Sequence, residues 1–273
     1  MRVQNEEWRR FIPGSRMCQG KKTLFYNGEK LWEEVEDGGE IRYLIYDEEE
    51  QRSWEMIIVL PGVEEIPWQT FATLSKIETV IMSDSLKRIK NEAFVGCVNL
   101  SFVKLSRNLE FIGESAFEDC KYLSSIFIPP SCTKISDLAF LGCKKLIIMN
   151  VPQHSRLGWN TIEETSLFDD SPLEKSSRYD EDDIDKVNRW VKSFNKGREF
   201  SLHRLCCSTY EDEIFPIQEQ IYEAVKEHGP KVLQKENKIG ITPLKYLEEN
   251  PYLENIDEMK MGKDGAGGRL KVS

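Results

Sequence analysis

The histidine and cysteine side chains of this chain, which could bind a metal or act as nucleophiles, cluster once, at His203, Cys206 and Cys207. A structural zinc site needs four ligands, commonly with paired Cys-X-X-Cys spacing. That spacing is missing, and His228 is the remaining candidate for a fourth ligand. A Cys/His nucleophile would also need an orienting group and oxyanion donors, which the sequence does not supply. We therefore interpret His203 as ordering a turn and the cysteines as packing in a helix.

Other catalytic and ligand-binding patterns fail on similar grounds. Asp180 to Asp185 begins like a calcium loop, but Ile184 stands where an oxygen ligand belongs and no glycine follows. Glycine-rich phosphate loops are absent, and His154, His203 and His228 form no plausible acid–base set. The sequence therefore predicts a protein that is not an enzyme and has no catalytic residue, cofactor or metal site.

Composition narrows the classes of partner. The 273 residues are 40% hydrophobic and 31% charged, with a net charge of -10, which argues against a general nucleic-acid binder. The longest apolar runs are too short to span a bilayer, and Met1 to Phe11 shows no secretory signal. We expect a cytoplasmic protein with no membrane contact. In such a reducing compartment the seven cysteines should remain thiols.

The middle of the sequence repeats every 23 residues. The Phe column contains Phe71, Phe94, Phe117 and Phe140. Further columns follow the same period: Ala93, Ala116, Ala139; Cys97, Cys120, Cys143; Ile77, Leu100, Leu123, Leu146; Ile66, Ile89, Ile112, Ile135. A fixed period of this length is typical of a stacked solenoid, in which each coil buries its apolar residues against its neighbours. We interpret the cysteine column as buried packing, because small apolar wall positions suit a free thiol.

This phrase resembles the BspA-type leucine-rich repeat, whose pattern is roughly I-G-x-x-A-F-x-G-C-x-x-L-x-x-I-x-I-P. The matching residues of one coil are Ile112-Gly113, Ala116-Phe117, Cys120, Leu123, Ile126 and Ile128-Pro129. The glycine before the cysteine is present as Gly96 and Gly142 but is Asp119 in the middle coil. The resemblance implies an α/β solenoid, a short array of about four 23-residue coils.

The flanking segments complete the predicted organisation, an N-terminal β-meander cap and a C-terminal helical domain. Asn27-Gly28 suits a type I′ hairpin turn. Helices are predicted from an Asp183 cap to Gly197 and from Pro216 to Gly229. The predicted domains are an irregular arm (1–21), the β-strand cap (22–55), the solenoid (56–153), an acidic linker (154–183), the helical domain (184–252) and a disordered tail (253–273).

The C-terminal helical domain has a weaker resemblance of its own. Gly240-Ile241-Thr242-Pro243-Leu244 resembles the G-x-T-P-L opening of an ankyrin repeat, and Ser201-Leu202-His203 is similar to its P-L-H. The distance from Leu202 to Leu244 is longer than one ankyrin period of 33 residues. Both an ankyrin-like helical pair and an unrelated helical cap fit this segment.

One surface is a candidate for binding. In strands such as Leu100 to Leu105, alternate residues point out of the coil. The outward columns predicted for successive coils are Met56, Thr79, Phe102, Ser125, Ile148 and Ile58, Ile81, Lys104, Phe127, Asn150. We predict partner binding at Ile81, Phe102, Lys104, Phe127 and Ile148, because contiguous apolar surface often marks an interaction site. Two alternatives remain: the N-terminal arm or acidic linker folds over this face, or the strand register is off by one.

These residues suggest a protein–protein interaction module that binds an unidentified protein partner through the exposed sheet face. The alternative hypothesis is a self-associating structural protein that forms a homodimer through the same face.

Overall fold

The structure, a computed structural model, describes residues 21–28, 31–33, 42–43, 54–169, 181–193, 201–206, 217–237 and 240–253. The chain forms two compact units, residues 20–193 and residues 1–19 with 194–273. Most of the predicted arm, nearly all of the predicted tail, Cys207, Pro216 and Gly197 lie outside the described residues.

The larger unit is built from short strands. They are β1 Thr23–Tyr26, β2 Leu31–Glu33, β3 Arg42–Tyr43, β4 Met56–Val59, β5 Glu65–Ile66, β6 Thr79–Met82, β7 Arg88–Ile89, β8 Phe102–Lys104, β9 Phe111–Ile112, β10 Ser125–Phe127, β11 Lys134–Ile135, β12 Ile148–Asn150 and β13 Arg156–Leu157. Two helices follow, α1 Ser166–Asp169 and α2 Glu181–Val191. Each coil of the array thus contributes one longer strand and one two-residue strand.

The strands form parallel ladders on two sides of the coils. The longer strands make a six-stranded sheet in the order β3-β2-β1-β4-β6-β8 and a separate two-stranded sheet, β10-β12. The two-residue strands make one continuous five-stranded sheet, β13-β11-β9-β7-β5. The sequence prediction recognised this second side as an apolar wall but did not assign strands to it. The predicted solenoid is confirmed.

The core lies inside the coils. Phe71, Phe94, Phe117 and Phe140 form one continuous stack of rings, with centroid separations of 5.1, 5.2 and 5.4 Å. The Ala, Cys, Leu and Ile columns around this stack are buried as well. The ring of each inner coil is therefore covered by the rings of the coils before and after it. A single coil could not bury its own phenylalanine ring.

The turn of each coil requires left-handed backbone at two positions. At the first position the residue is not glycine; Glu92 and Ser115, for example, have φ of 56° and 52°. The second is glycine at Gly96 and Gly142, with φ of 71° and 70°, but Asp119 adopts φ 57° in the middle coil. This explains why glycine precedes the cysteine in the repeat phrase, since only glycine adopts this conformation without a steric cost.

A second glycine is required by close packing between coils. Gly113 follows β9, and a Cβ built on it would lie 2.5 Å from the backbone nitrogen of Asn91 in the preceding coil. A side chain there would therefore push the two coils apart. This accounts for the Ile-Gly pair of the repeat phrase at this coil.

The array continues beyond His154, where the sequence prediction placed the start of a linker. β13 pairs in parallel with β11, matching Ile135 with Leu157. The prediction was wrong for this stretch because the last coil is shorter by one residue, which breaks the 23-residue count. Ile162 and Thr165 also take the places of the Phe and Cys that marked the earlier coils.

The N-terminal strands extend the larger sheet. β1 pairs in parallel with β4 and antiparallel with β2, so it continues the array at its first coil. The predicted hairpin is present, but its turn is not a two-residue type I′ turn: Tyr26 pairs with Leu31, which leaves four residues in the loop, and Gly28 has φ 92°. Trp54, ahead of β4, is buried.

The other end of the five-stranded sheet is capped by a side chain of α2. The amide group of Asn188 accepts a hydrogen bond from the Leu157 backbone N–H at 2.9 Å and donates one to the Leu157 carbonyl at 3.2 Å. It thereby replaces the strand that a further coil would supply. The helix begins at Glu181, two residues before the predicted cap Asp183.

The smaller unit is helical in its described residues. Its elements are α3 Ser201–Cys206, α4 Ile217–His228, a 3-10 turn at Pro230–Gln234 and α5 Pro243–Glu249. α3 packs against both α4 and α5. Thr242 caps α5, its hydroxyl accepting from the Lys245 N–H at 3.2 Å. The predicted α4 is confirmed, and its Ile217, Ile221 and Val225 are buried. The 3-10 turn was not predicted, and the ankyrin-like hypothesis stays a prediction.

Candidate functional site

The strand pairing aligns the residues of the two predicted outward columns within each ladder. In the six-stranded sheet, Met56 pairs with Thr79 and Thr79 with Phe102, while Ile58 pairs with Ile81 and Ile81 with Lys104. In the two-stranded sheet, Ser125 pairs with Ile148 and Phe127 with Asn150. At β8 the burial alternates as the prediction requires, with Val103 buried and its neighbours Phe102 and Lys104 half-buried.

The expected exposure of this face is wrong for three of the five predicted site residues. Ile81, Phe127 and Ile148 retain 5%, 2% and 1% of their accessible surface. Phe102 and Lys104 are half-buried. The immediate neighbours of the three buried residues, Val80, Ile126 and Met149, are buried as well, so both faces of these strands are covered at these positions. Partner binding at the five positions stays a prediction.

Phe102 and Lys104 lie on an edge strand. The six-stranded sheet ends at β8, and β10 belongs to the separate two-stranded sheet. The ladder on this side of the solenoid is thus interrupted between the third and fourth longer strands of the coils, whereas the five-stranded sheet runs through. The half-exposed pair therefore lies where the larger ladder stops.

The His/Cys cluster does not assemble as a set of ligands among the described residues. His203 is buried, 1% exposed, with its ring edge-on to Tyr246 at 6.3 Å between centroids. His228 is at the last turn of α4, where its side chain is 60% exposed and lies 3.7 Å from Glu227. No group of three His, Cys, Asp or Glu side chains placed to hold a metal ion is found in the described part of the chain.

The cysteine column is a packing element. The thiols of Cys97, Cys120 and Cys143 donate to the carbonyls of Phe71, Phe94 and Phe117 at 3.1, 3.4 and 3.1 Å. Burial raises the pKa of the Cys97 thiol to about 12 and also raises the pKa of Cys120. The Cys97 and Cys120 thiols therefore stay protonated at neutral pH, the opposite of what nucleophilic chemistry needs.

A charged face was missed by the sequence prediction. Each two-residue strand has one inward and one outward residue. The inward residue is Ile66 in the first of these strands, β5, and Leu157 in the last, β13. The outward residues are Glu65, Arg88, Phe111, Lys134 and Arg156. Tracking the residue before each column isoleucine would have found them, had the wall been recognised as a sheet.

The geometry defines a class of protein. Parallel strands stacked at a constant repeat, with an apolar column inside each coil, make a leucine-rich-repeat solenoid. No described helix has both the length and the apolar character needed to cross a membrane.

Comparison with known proteins identifies the family. A family model described as "BspA type Leucine rich repeat region" matches residues 52–177 in six copies. The repeat part of this chain therefore belongs to the BspA-type leucine-rich repeats. The matched range extends past His154, in agreement with the extra coil. The sequence matches none of the curated proteins.

Solved structures of leucine-rich repeat proteins resemble the chain. A Treponema pallidum leucine-rich repeat protein is 24% identical, over 40% of this chain and 54% of that one, with a TM-score of 0.39. A leucine-rich cell surface protein from Faecalibacterium prausnitzii is 25% identical, over 60% and 41%, with a TM-score of 0.44. A Bacteroides capillosus leucine-rich repeat protein is 27% identical, over 47% and 99%, with a TM-score of 0.35. The chain spans about half the length of the first two.

Proposed function

We propose that this chain is a non-catalytic protein-interaction module that binds a partner through the outward columns of its longer strands. Leucine-rich repeat proteins are generally protein-interaction modules, and the repeat face supplies a rigid, regularly spaced surface. The observation that carries the proposal is the apolar side chains at outward positions, which the interior of the coils does not require.

The proposed contact begins at β8. Phe102 and Lys104 are half-buried, so both can reach a partner without rearrangement of the chain. Aromatic side chains beside a cation are favourable anchors, because the ring buries a large area and the charge selects an acidic or polar neighbour. Ile81, Phe127 and Ile148 are buried, so they would join the contact only after a local rearrangement.

The test compares two matched double variants of the full chain. Phe102→Ala with Lys104→Glu alters the proposed site, and Tyr122→Ala with Lys145→Glu makes the same kind of change at an exposed pair outside the strands, where Lys145 Nζ lies 4.0 Å from the centroid of the Tyr122 ring. Partners captured by crosslinking in the native cell are identified, and the strongest is purified for titration. We expect the first variant to weaken that binding at least tenfold, about 1.4 kcal/mol, and the second to leave it within twofold.

Three results would change the proposal. If the Tyr122/Lys145 variant alone loses binding, the partner uses another surface of the coils. If the Phe102/Lys104 variant loses its cooperative thermal transition, these residues are core and not surface. If sedimentation shows a concentration-dependent dimer that this variant abolishes, the occupant of the face is a second copy of the chain.

A further inference from the structure

The outer face of the five-stranded sheet divides into a half whose cations are paired with acids and a half whose cations are not. In the paired half, Arg88 Nε and Lys90 Nζ contact the Glu65 carboxylate at 2.9 and 3.3 Å. Lys87 Nζ contacts Glu64 at 3.3 Å. The cations of the second coil are thus paired with the acids of the first.

The other half has a different arrangement. Lys134 and Arg156 are register partners in adjacent parallel strands, and both side chains are exposed. Neighbouring strands lie about 4.8 Å apart, so the two cationic residues occupy adjacent positions on the sheet. Neither makes an ion pair within the described part of the chain. Like charges directly opposite on a sheet are destabilising, and no acid of the described residues offsets this pair with an ion pair.

The surroundings of the pair are partly apolar. Lys134 Nζ lies over the Phe111 ring, 5.8 Å from its centroid. The nearest acid in sequence on the same coil, Asp137, already accepts a hydrogen bond from the Trp159 backbone N–H at 2.8 Å. A ring and two cations therefore form a row across three strands, which we call the cationic strip: Phe111, Lys134 and Arg156.

We propose that the cationic strip is a docking surface for an acidic, extended segment of a partner protein. Carboxylates of the segment would pair with Lys134 and Arg156, and an apolar side chain would cover the Phe111 ring. The strip offers only two cations on a chain of net charge -10. Nucleic acids depend on many phosphate contacts, so a short acidic peptide is the chemistry that matches this surface.

The probe is a synthetic, fluorescent peptide of alternating glutamate and leucine, with a glutamine-for-glutamate peptide as its neutral counterpart. Binding to the full chain is measured by anisotropy and mapped by backbone amide NMR. We expect the acidic peptide to shift the amides of β9, β11 and β13. We expect the neutral peptide to bind at least tenfold more weakly.

Two charge reversals provide the matched comparison. Lys134→Glu with Arg156→Glu should weaken the acidic peptide at least tenfold, whereas Lys87→Glu with Lys90→Glu, the same change of charge on the same sheet, should leave its affinity within threefold. Equal weakening by both variants would overturn the proposal, because the effect would then come from net charge. Tighter binding of a single-stranded oligonucleotide than of the peptide would overturn it as well.

This inference is independent of the function proposed above. The Phe102/Lys104 variant should bind the acidic peptide as the parent chain does, because its changes lie on the other sheet. Loss of peptide binding in that variant would contradict two separate surfaces, while loss of the cellular partner alone would leave the cationic strip intact.

Discussion

The rings of Phe94 and Phe117 stack in parallel, with 5.2 Å between their centroids and 4° between their planes. Both rings are fully buried, and each belongs to a different coil. The spacing of the rings follows the spacing of neighbouring parallel strands, about 4.8 Å. Contact between coils is therefore made mainly by like residues on like residues, and each coil depends on its neighbours for stability.

Replacement of one ring should destabilise the whole array. We expect Phe117→Ala to lower the free energy of unfolding by about 3–5 kcal/mol, because it removes a buried ring and leaves a cavity between Phe94 and Phe140. Urea unfolding followed by circular dichroism measures the loss. Phe102→Ala is the control, since its half-buried ring on the outer face should cost less than half as much. Equal losses would contradict the assignment of Phe102 to the surface.

The middle coil carries a correctable strain. Asp119 holds φ 57° where the neighbouring coils have Gly96 and Gly142. We expect Asp119→Gly to stabilise the protein by about 0.5–1 kcal/mol, the gain from removing a side chain from left-handed backbone less the added freedom of the unfolded chain.

Asp119→Ala should change the free energy of unfolding in the opposite direction. Alanine tolerates this conformation less well than aspartate does, so the variant should be less stable than the parent chain in the same urea titration. Destabilisation by both substitutions would show that the carboxylate, rather than the backbone, determines stability at this position.

The Asn188 cap should protect the last strand of the five-stranded sheet. Asn188→Ala removes both hydrogen bonds to Leu157 and leaves the strand edge unsatisfied, at a cost of about 1–3 kcal/mol. Hydrogen exchange at the Leu157 amide should accelerate more than exchange at the Ile112 amide, because β9 stays paired with β7 on one side and β11 on the other. Arg189→Ala, an exposed change on the next residue of the same helix, should leave both rates unchanged.

The ion pair at Glu65 should give a pH-dependent contribution. The Arg88 guanidinium, with which it shares a hydrogen bond, lowers the pKa of the Glu65 carboxyl. A carboxyl with a lowered folded pKa stabilises the protein above its unfolded pKa, near 4.3, and the contribution is lost as pH falls through the folded value. Glu65→Gln should therefore cost up to about 1 kcal/mol at pH 7, the range for an exposed pair.

The same measurement has a clear contrary result. The free energies of unfolding of the parent chain and of Glu65→Gln, measured in urea, should become equal at pH values below the folded pKa of Glu65. A difference that persists undiminished there would mean that packing, and not charge, carries the effect. Glu114→Gln, on an exposed residue of a later coil, serves as the control and should be neutral across the range.

The sequence by itself determined the repeat, its period, its buried columns and which residues of successive longer strands align with one another. These follow from local rules: alternation fixes which face a strand residue takes, and a buried column must recur at the length of the coil. The helix at Ile217–His228 was predicted for the same reason, since its apolar positions lie close together in the chain.

Only the tertiary structure decided which strand residues are exposed. Ile81, Phe127 and Ile148 are buried, although strand alternation alone predicted exposed side chains there. The shortened last coil and its Asn188 cap, the interruption after β8, and the row formed by Phe111, Lys134 and Arg156 depend equally on which strands pair. Because the last coil is one residue shorter, a count of 23 residues from Lys134 does not lead to Arg156. Only the strand pairing shows that these two residues of the cationic strip are neighbours.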